Sequence, residues 1–175
     1  MHRAPAPDML IRRAAPADAP AVARVHVRSW QEGYRALLPA AYLDGLSIEE
    51  RARRYTFGSL DPSAPTTLVA ETNASICGFA TTVAARDADA AGLGELAALY
   101  VHPDNWGQGF GAALLAAARQ HLKALGFEHA VLWVLSGNVR AERFYRQDAW
   151  AADGLSRRGM RGGIEIEEQR FRRVL

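Results

Sequence analysis

"NWGQGFGAALL" (residues 105–115) places glycines at three alternate positions and then continues into alanine and leucine. Glycine costs about 1 kcal/mol per residue in a helix interior, so three glycines at a helix start need a physical reason. The first four amides of a helix have no partner inside it, and the helix N-terminus carries about half a positive charge. The stretch therefore predicts an anion site where a phosphate reaches bare backbone amides; close packing on a sheet is the alternative use of the glycines.

Two other phosphate-binding loops fit these residues less well. A P-loop needs Lys and then Ser or Thr after its last glycine, but residues 112–114 are Ala-Ala-Leu. Gly107, Gly109 and Ala112 satisfy the dinucleotide pattern G-x-G-x-x-A, which also requires an acidic residue at the end of the next strand. The run AVLWVLSG (residues 130–137) ends without an acidic residue, which weighs against a dinucleotide enzyme.

The composition is that of a globular protein with little excess of either charge. The 175 residues carry a net charge of +2 and a single cysteine, Cys77, so neither a disulfide framework nor a cysteine metal site is expected. Glu165, Glu167 and Glu168 interrupt the Arg-rich C-terminal part, so we expect no nucleic-acid partner. The sequence shows neither a run of about 18 apolar residues nor a secretory pattern, so we expect a cytoplasmic protein without a membrane partner.

The order of hydrophobic patterns predicts one α/β domain at residues 9–175, preceded by a flexible tail at residues 1–8. The predicted order is strand, two helices, three strands, helix, strand, helix and further strands. Residues 95–135 form a βαβ unit, whose two strands are expected to run parallel.

Local signals mark several element boundaries. Ser47, followed three residues later by Glu50, forms a capping box that opens the second helix. A turn near Asn73 joins two strand-like runs in an antiparallel hairpin. Apolar residues repeat at helical spacing from Phe110 to Leu125, and Gly126 ends that helix.

The combined stretches at residues 98–115 and 132–150 resemble the Gcn5-related N-acetyltransferase (GNAT) family. The family's acetyl-CoA loop is Arg/Gln-x-x-Gly-x-Gly/Ala, and Gly109 and Gly111 match its glycines. Trp106 occupies the Arg/Gln place, a departure that removes one polar side chain but leaves the backbone amides. Residues 9–30 also look like the family's first strand and helix.

The resemblance implies a fold and a cofactor site. The implied fold is a mixed, mostly antiparallel central sheet of six to seven strands flanked by about four helices and splayed at the strands that bind acetyl-CoA. The co-substrate is acetyl-CoA, and Asn138 matches the family Asn that touches it, a role compatible with a helix N-cap. The expected cofactor-binding backbone comprises Leu99, Tyr100 and Val101 for the pantetheine arm and Gly107, Gln108, Gly109, Phe110, Gly111 and Ala112 for the diphosphate.

Two residues are candidates for the proton transfers. Tyr145 matches the family tyrosine that protonates the departing CoA thiolate, and packing in the core beside Phe144 is the alternative. One family branch has a glutamate base at the place held here by Trp133, so that base is absent. Glu95 is the expected substitute, because a two-residue period puts it on one face with Leu99 and Val101; an exposed strand end is its alternative role.

The first-helix region is expected to line the acceptor pocket with Trp30, Glu32 and Tyr34, although Trp30 also fits a core position. The resulting hypothesis is an N-acetyltransferase that moves the acetyl group directly from acetyl-CoA to a primary amine of a small molecule or peptide. A non-catalytic acyl-CoA-binding module of the same fold is the alternative. A homodimer is common among similar proteins, and no metal ligand set is present in the sequence.

Overall fold

Seven strands and five α-helices make up the part of the chain that the structure, a computed structural model, describes: residues 8–175. All of the predicted tail except Asp8 lies outside the described residues. The strands are β1 Leu10–Arg13, β2 Thr66–Thr72, β3 Ser75–Ala84, β4 Gly94–Val101, β5 His129–Leu135, β6 Ala151–Arg161 and β7 Ile164–Val174. The helices are α1 Ala19–Gly33, α2 Ala40–Asp44, α3 Ile48–Ala52, α4 Phe110–Ala124 and α5 Val139–Gln147.

The strands form one sheet in the order β1-β2-β3-β4-β5-β7-β6, and β4–β5 is its parallel pair. This pairing is short: Gly94 lies opposite Ala130 and Glu95 opposite Val131, after which the two strands separate. Beyond that point β3 still pairs with β4 and β7 pairs with all of β5. The prediction of a mixed, mostly antiparallel sheet that is splayed between two strands is confirmed.

Helices cover both faces of the sheet because each presents one apolar stripe. Helix α4 buries Phe110 and Leu114 fully, together with Leu122, at the helical spacing seen in the sequence. On the opposite face α1 buries Val22 and Val25 against β2 and β3. None of the helices in residues 8–175 is long and apolar enough to cross a bilayer.

The helix cap and the hairpin turn predicted from the sequence are present, but the number of helices before β2 differs from the prediction. The backbone N–H of Glu50 donates to Ser47 Oγ at 3.2 Å, as the capping box predicts, although α3 has only five residues. Asn73 and Ala74 take positive φ angles in the β2–β3 turn. Helix α2 lies before Ser47, so three helices rather than the predicted two precede β2.

A β-bulge in β4 changes which residues share a face. Thr81 of β3 lies opposite Ala98, but Thr82 lies opposite Leu96, so Ala97 is an extra residue in β4. Inserting one residue in a strand reverses the side-chain alternation beyond it.

The expectation that Glu95 shares a face with Leu99 and Val101 is therefore wrong. Leu99 and Val101 pack into the cluster under α4, whereas Tyr100 packs into the cluster under α1. Across the bulge, Glu95 is on the Tyr100 face. The two-residue period failed because a bulge depends on pairing with another strand, which leaves no local pattern.

Candidate active site

A cavity of about 700 Å³ lies where β4 and β5 separate. It is lined by residues of β4 and β5, by the turn that precedes α4, by α5 and by the C-terminal half of α1. Concave sites at the point where neighbouring strands diverge are common ligand sites in proteins. The splay thus creates the space that the predicted site needs.

The turn before α4 presents bare backbone amides to this cavity. Gly107 and Gly109 have φ angles of +74° and +91°, which residues with a side chain rarely adopt, and a β-carbon at either would have no protein atom within 4 Å. The first helical hydrogen bond runs from Ala113 N to Gly109 O at 3.0 Å. Within residues 8–175, the amides of residues 107–112 donate to no protein acceptor. This geometry is suited to an anion.

Gly111 has a different structural role from the other two glycines. A β-carbon there would lie 3.4 Å from the Phe144 ring and 3.7 Å from the Val101 side chain. Both distances are ordinary van der Waals contacts, so a methyl group would fit where α4, α5 and β4 meet at the base of the cavity. Close packing, the alternative use of the glycines, is therefore not by itself a reason for glycine at position 111.

The end of β4 turns backbone groups toward the cavity. His102 N donates to Cys77 O at 2.8 Å, so His102 and Tyr100 are hydrogen-bonded to β3. Because hydrogen-bonding direction alternates along an antiparallel ladder, Leu99 and Val101 direct their N–H and C=O groups away from β3. Strand β5 has already separated there, so the side of β4 that faces it is open.

The Val101 carbonyl is occupied by protein donors. Trp106 Nε1 donates to Val101 O at 2.7 Å, and Ser29 Oγ lies 2.9 Å from the same oxygen. The Val101 N–H is therefore accessible to a ligand that lies alongside β4, whereas the Val101 carbonyl is already hydrogen-bonded to protein donors. Trp106 therefore does more than remove a polar side chain from the loop. Its indole N–H occupies a backbone acceptor at the end of β4.

Sequence reasoning did not identify Arg140, which also lines the cavity. Its guanidinium carbon lies 3.5 Å from the centroid of the Trp106 ring. The residue belongs to the first turn of α5, where nothing in the local sequence distinguishes it from the other arginines of that helix. Only the packing of α5 beside the loop brings the two side chains together.

Asn138 and Tyr145 come from the ends of α5. Asn138 Oδ1 accepts a hydrogen bond from Ala141 N at 3.1 Å, so the N-cap role is present, and the residue also lines the cavity. Tyr145 lines the cavity too, and its ring packs edge-to-face with those of Phe144 and Trp150. Burial raises the pKa of the Tyr145 phenol, which keeps it protonated at neutral pH.

Glu95 lies in the cavity wall rather than at an exposed strand end. It is 5% exposed, and its carboxylate is 3.5 Å from the Arg86 guanidinium. Trp133 lines the same cavity, and its Nε1 donates to Asp87 Oδ2 at 3.0 Å. Trp133 holds the position at which one family branch has its glutamate base, and Glu95 supplies a carboxylate in the same cavity.

The predicted acceptor residues divide into two groups. Trp30 and Tyr34 line the cavity and pack edge-to-face, with ring centroids 5.2 Å apart, and burial raises the pKa of Tyr34. Glu32 is exposed and does not contribute to the cavity, because successive helical residues point about 100° apart. Gln108 likewise points its side chain away, donating to Asp104 O at 2.9 Å.

Cys77 does not line the cavity. The side chain is buried in β3, where desolvation raises the pKa of the thiol. A nucleophilic cysteine needs a stabilised thiolate, so this environment is that of a structural residue. In the described part of the chain no cluster of three or more His, Cys, Asp or Glu could hold a metal ion.

The chain is similar in sequence to known acetyltransferases. YuaI, an uncharacterized N-acetyltransferase of Bacillus subtilis (strain 168), is 29% identical over 153 residues, which cover 86% of this chain and 87% of that protein. Mycothiol acetyltransferase of Saccharopolyspora erythraea is 32% identical over 132 residues, 74% of this chain and 39% of that protein. The chain spans less than half the length of the mycothiol acetyltransferases it matches.

Solved structures show the same fold at low sequence identity. The PaiA N-acetyltransferase of Thermoplasma acidophilum, in complex with coenzyme A, has a TM-score of 0.71 at 21% identity and covers 92% of this chain and 98% of its own. The yncA protein of Salmonella typhimurium, with its cofactor acetyl-CoA, has a TM-score of 0.72 at 19% identity and covers 95% and 94%. A model of the acetyltransferase (GNAT) family matches residues 27–149. The chain belongs to the GNAT family of acetyltransferases.

Proposed function

We propose that this protein transfers the acetyl group of acetyl-CoA directly to a primary amine of a small molecule or peptide. The observation that carries the proposal is the run of amides at residues 107–112, which have no protein acceptor in the described chain and face a cavity beside an open strand end. Residues 9–175 form the proposed catalytic domain. A cytoplasmic location and a homodimer belong to the same proposal, and the homodimer rests on the family resemblance.

Acetyl-CoA is proposed to bind along β4 with its diphosphate at the start of α4. The amides of residues 107–112 and the positive end of the helix attract the diphosphate. The pantetheine arm follows the open side of Leu99 and Val101. The Val101 N–H then points toward the thioester oxygen, where negative charge develops during attack, and stabilises it.

The acceptor amine must lose a proton before it can attack, because an alkylammonium has a pKa of about 10. Glu95 is the proposed base, acting directly or through a water molecule. Its carboxylate is buried in the cavity wall on the face of Tyr100. Trp30 and Tyr34, which line the same cavity, supply aromatic surface for the acceptor.

Tyr145 is proposed to donate a proton or a hydrogen bond to the departing thiolate. Burial raises the pKa of the phenol, which by itself makes proton transfer harder. The leaving thiolate would lie in the same poorly solvated cavity, where burial raises the pKa of a thiol too. The pKa values of the Tyr145 phenol and of the CoA thiol therefore rise together, which keeps proton transfer between them feasible as the carbon–sulfur bond breaks.

Direct transfer requires both substrates in one complex and no acetylated enzyme. The position of Cys77 outside the cavity lining supports this order of events, since no other cysteine exists in the sequence. The amine nitrogen attacks the thioester carbon and the carbon–sulfur bond breaks. Glu95 takes up the proton that the amine loses, and Tyr145 donates a proton or a hydrogen bond to the departing CoA thiolate.

The test is to measure thiol release from acetyl-CoA with a panel of primary amines, beside calorimetric binding of CoA. The proposal predicts CoA binding, amine-dependent thiol release and initial-velocity lines that intersect. Binding of CoA without release for any amine would instead support the non-catalytic acyl-CoA-binding module. Parallel lines would contradict direct transfer, and binding of NAD in place of CoA would support a dinucleotide enzyme.

A further inference from the structure

We propose that Arg140, held against the ring of Trp106, binds the diphosphate of acetyl-CoA beside the glycine turn. This inference rests on the proposed function, since it concerns the same co-substrate. Residues 102–112 contain no lysine or arginine, so the turn itself offers amides but no cationic side chain. Arg140 brings that charge from a different helix.

The position of Arg140 is the first argument. Its guanidinium carbon lies 3.5 Å above the Trp106 ring, and both residues line the cavity together with Gly107 and Gly109. The amides of the turn and this guanidinium thus border one volume. An anion held by the amides lies within the field of the nearby cation.

The second argument is that the stacking surface is itself fixed. Trp106 Nε1 donates to Val101 O at 2.7 Å, so the indole is held against the end of β4. A guanidinium stacked on a ring keeps its five N–H donors directed outward in its own plane. Planar donors with little remaining freedom match the paired oxygens of a phosphate.

The third argument is the missing counter-charge. Among the described residues, no carboxylate lies within ion-pair distance of Arg140, whereas Arg146 on the same helix pairs with Glu142 at 3.0 Å. Desolvation lowers the pKa of Arg140 although the residue remains exposed, as expected for a cation without a protein counter-charge. A bound anion would supply the counter-charge that the described residues do not.

Coenzyme A carries a second phosphate group, on the 3′ position of its ribose, and the test must separate the two. The probes are CoA, 3′-dephospho-CoA, which keeps the diphosphate, and pantetheine, which has neither group. Calorimetry gives the dissociation constant of each probe for the wild type and for Arg140→Ala. We expect Arg140→Ala to weaken both CoA and 3′-dephospho-CoA about tenfold or more, the size of a charged hydrogen bond, and to leave pantetheine unchanged.

Arg143→Ala is the matched control, since Arg143 is an exposed arginine of the same helix that does not line the cavity. It removes the same charge and should change CoA binding less than about twofold at physiological salt. Trp106→Leu should weaken CoA binding as well, and adding it to Arg140→Ala should cost less than the product of the two single effects.

Three results would overturn the inference. They are wild-type CoA affinity in Arg140→Ala, an equal loss of pantetheine affinity, and a loss that disappears with 3′-dephospho-CoA. The last result would assign Arg140 to the 3′-phosphate. Each of them leaves the proposed function in place as long as the wild type binds CoA, whereas a wild type that does not bind CoA would remove both.

Discussion

The side chain of Glu95 is 6% exposed, while that of Arg86, whose guanidinium approaches the Glu95 carboxylate to 3.5 Å, is 72% exposed. A buried carboxylate is thus joined by a long contact to a side chain that reaches it from solvent. Because the contact is long and Arg86 is largely solvated, this ion pair is weaker than a close and fully buried one. The arrangement leaves the Glu95 carboxylate available to an amine in the cavity.

Glu95→Gln should therefore reduce turnover about a hundredfold at pH 7, the scale of a lost general base. Without the base, the rate depends on the fraction of amine that is already neutral, so it should rise about tenfold per pH unit below the amine pKa of about 10. Thiol release between pH 6 and pH 9 measures both effects. Glu167→Gln, an exposed carboxylate on β7, is the control, and equal pH profiles for the two variants would contradict the assignment.

Tyr145→Phe should lower turnover about a hundredfold and leave CoA affinity within about twofold, because only the hydroxyl that meets the thiolate is removed. Steady-state kinetics and calorimetry on the same preparation separate the two quantities. Tyr42→Phe, the control, removes a hydroxyl outside the cavity and should change neither turnover nor CoA affinity. An unchanged turnover in Tyr145→Phe would exclude it as the acid.

Gly109→Val should abolish measurable CoA binding. The substitution places a branched side chain where φ is +91° and where no protein atom lies within 4 Å of the new β-carbon, so the side chain fills the space proposed for the diphosphate. Strain from positive φ alone costs about 1–3 kcal/mol of stability. Gly92→Val is the matched control: Gly92 has φ of +82° and equally open surroundings but lies outside the cavity lining. CoA affinity retained by Gly109→Val would refute the phosphate turn.

His26 should make the fold sensitive to acid. Burial lowers its pKa from about 6.5 to about 3, and its Nδ1 lies 2.6 Å from the Tyr55 hydroxyl. The unfolded chain takes up the proton below pH 6.5 and the folded chain does not until about pH 3, so stability falls as the pH drops through this window. Between pH 7 and pH 5 the loss from this group is about 2 kcal/mol.

His26→Gln removes that titration. The fall in the free energy of unfolding from pH 7 to pH 5, measured by urea denaturation, should be about 2 kcal/mol smaller in the variant than in the wild type. An identical pH dependence in the two proteins would show that His26 does not cause the acid sensitivity.

Cys77→Ala should keep full transfer activity, because direct transfer has no acetyl-cysteine step. Loss of a buried side chain of this size should reduce stability by about 1 kcal/mol, visible in thermal unfolding. Activity that disappears while the fold is retained would indicate a covalent intermediate and contradict the proposed mechanism.

Local chemistry was sufficient where a feature depends on neighbours in sequence. The helix from Phe110 and the glycine turn before it follow from periodicity and from the conformational freedom of Gly107 and Gly109. The hairpin at Asn73 and the cap at Ser47 follow in the same way. The five-residue α2 escaped detection because so short a helix has too few turns to show a period.

Features that depend on pairing between distant segments could not be read from the chain. The extra residue Ala97 exists only relative to β3, and it moved Glu95 to the face opposite the one expected. From the sequence, Trp106 in the Arg/Gln place of the loop implied only the loss of a polar side chain. In the structure, α5 places the Arg140 guanidinium over the Trp106 ring. In both cases the deciding contact lies far away along the sequence.

The amino-acid sequence by itself determined the alternation of strands and helices and the unpaired amides at the start of α4, since backbone conformation responds to adjacent side chains. The tertiary structure alone decided which side chains share the cavity. The splay of β4 from β5, the bulge at Ala97 and the stacking of Arg140 on Trp106 each arise from packing between elements. Such packing is selected by the whole core and is not encoded in any single segment.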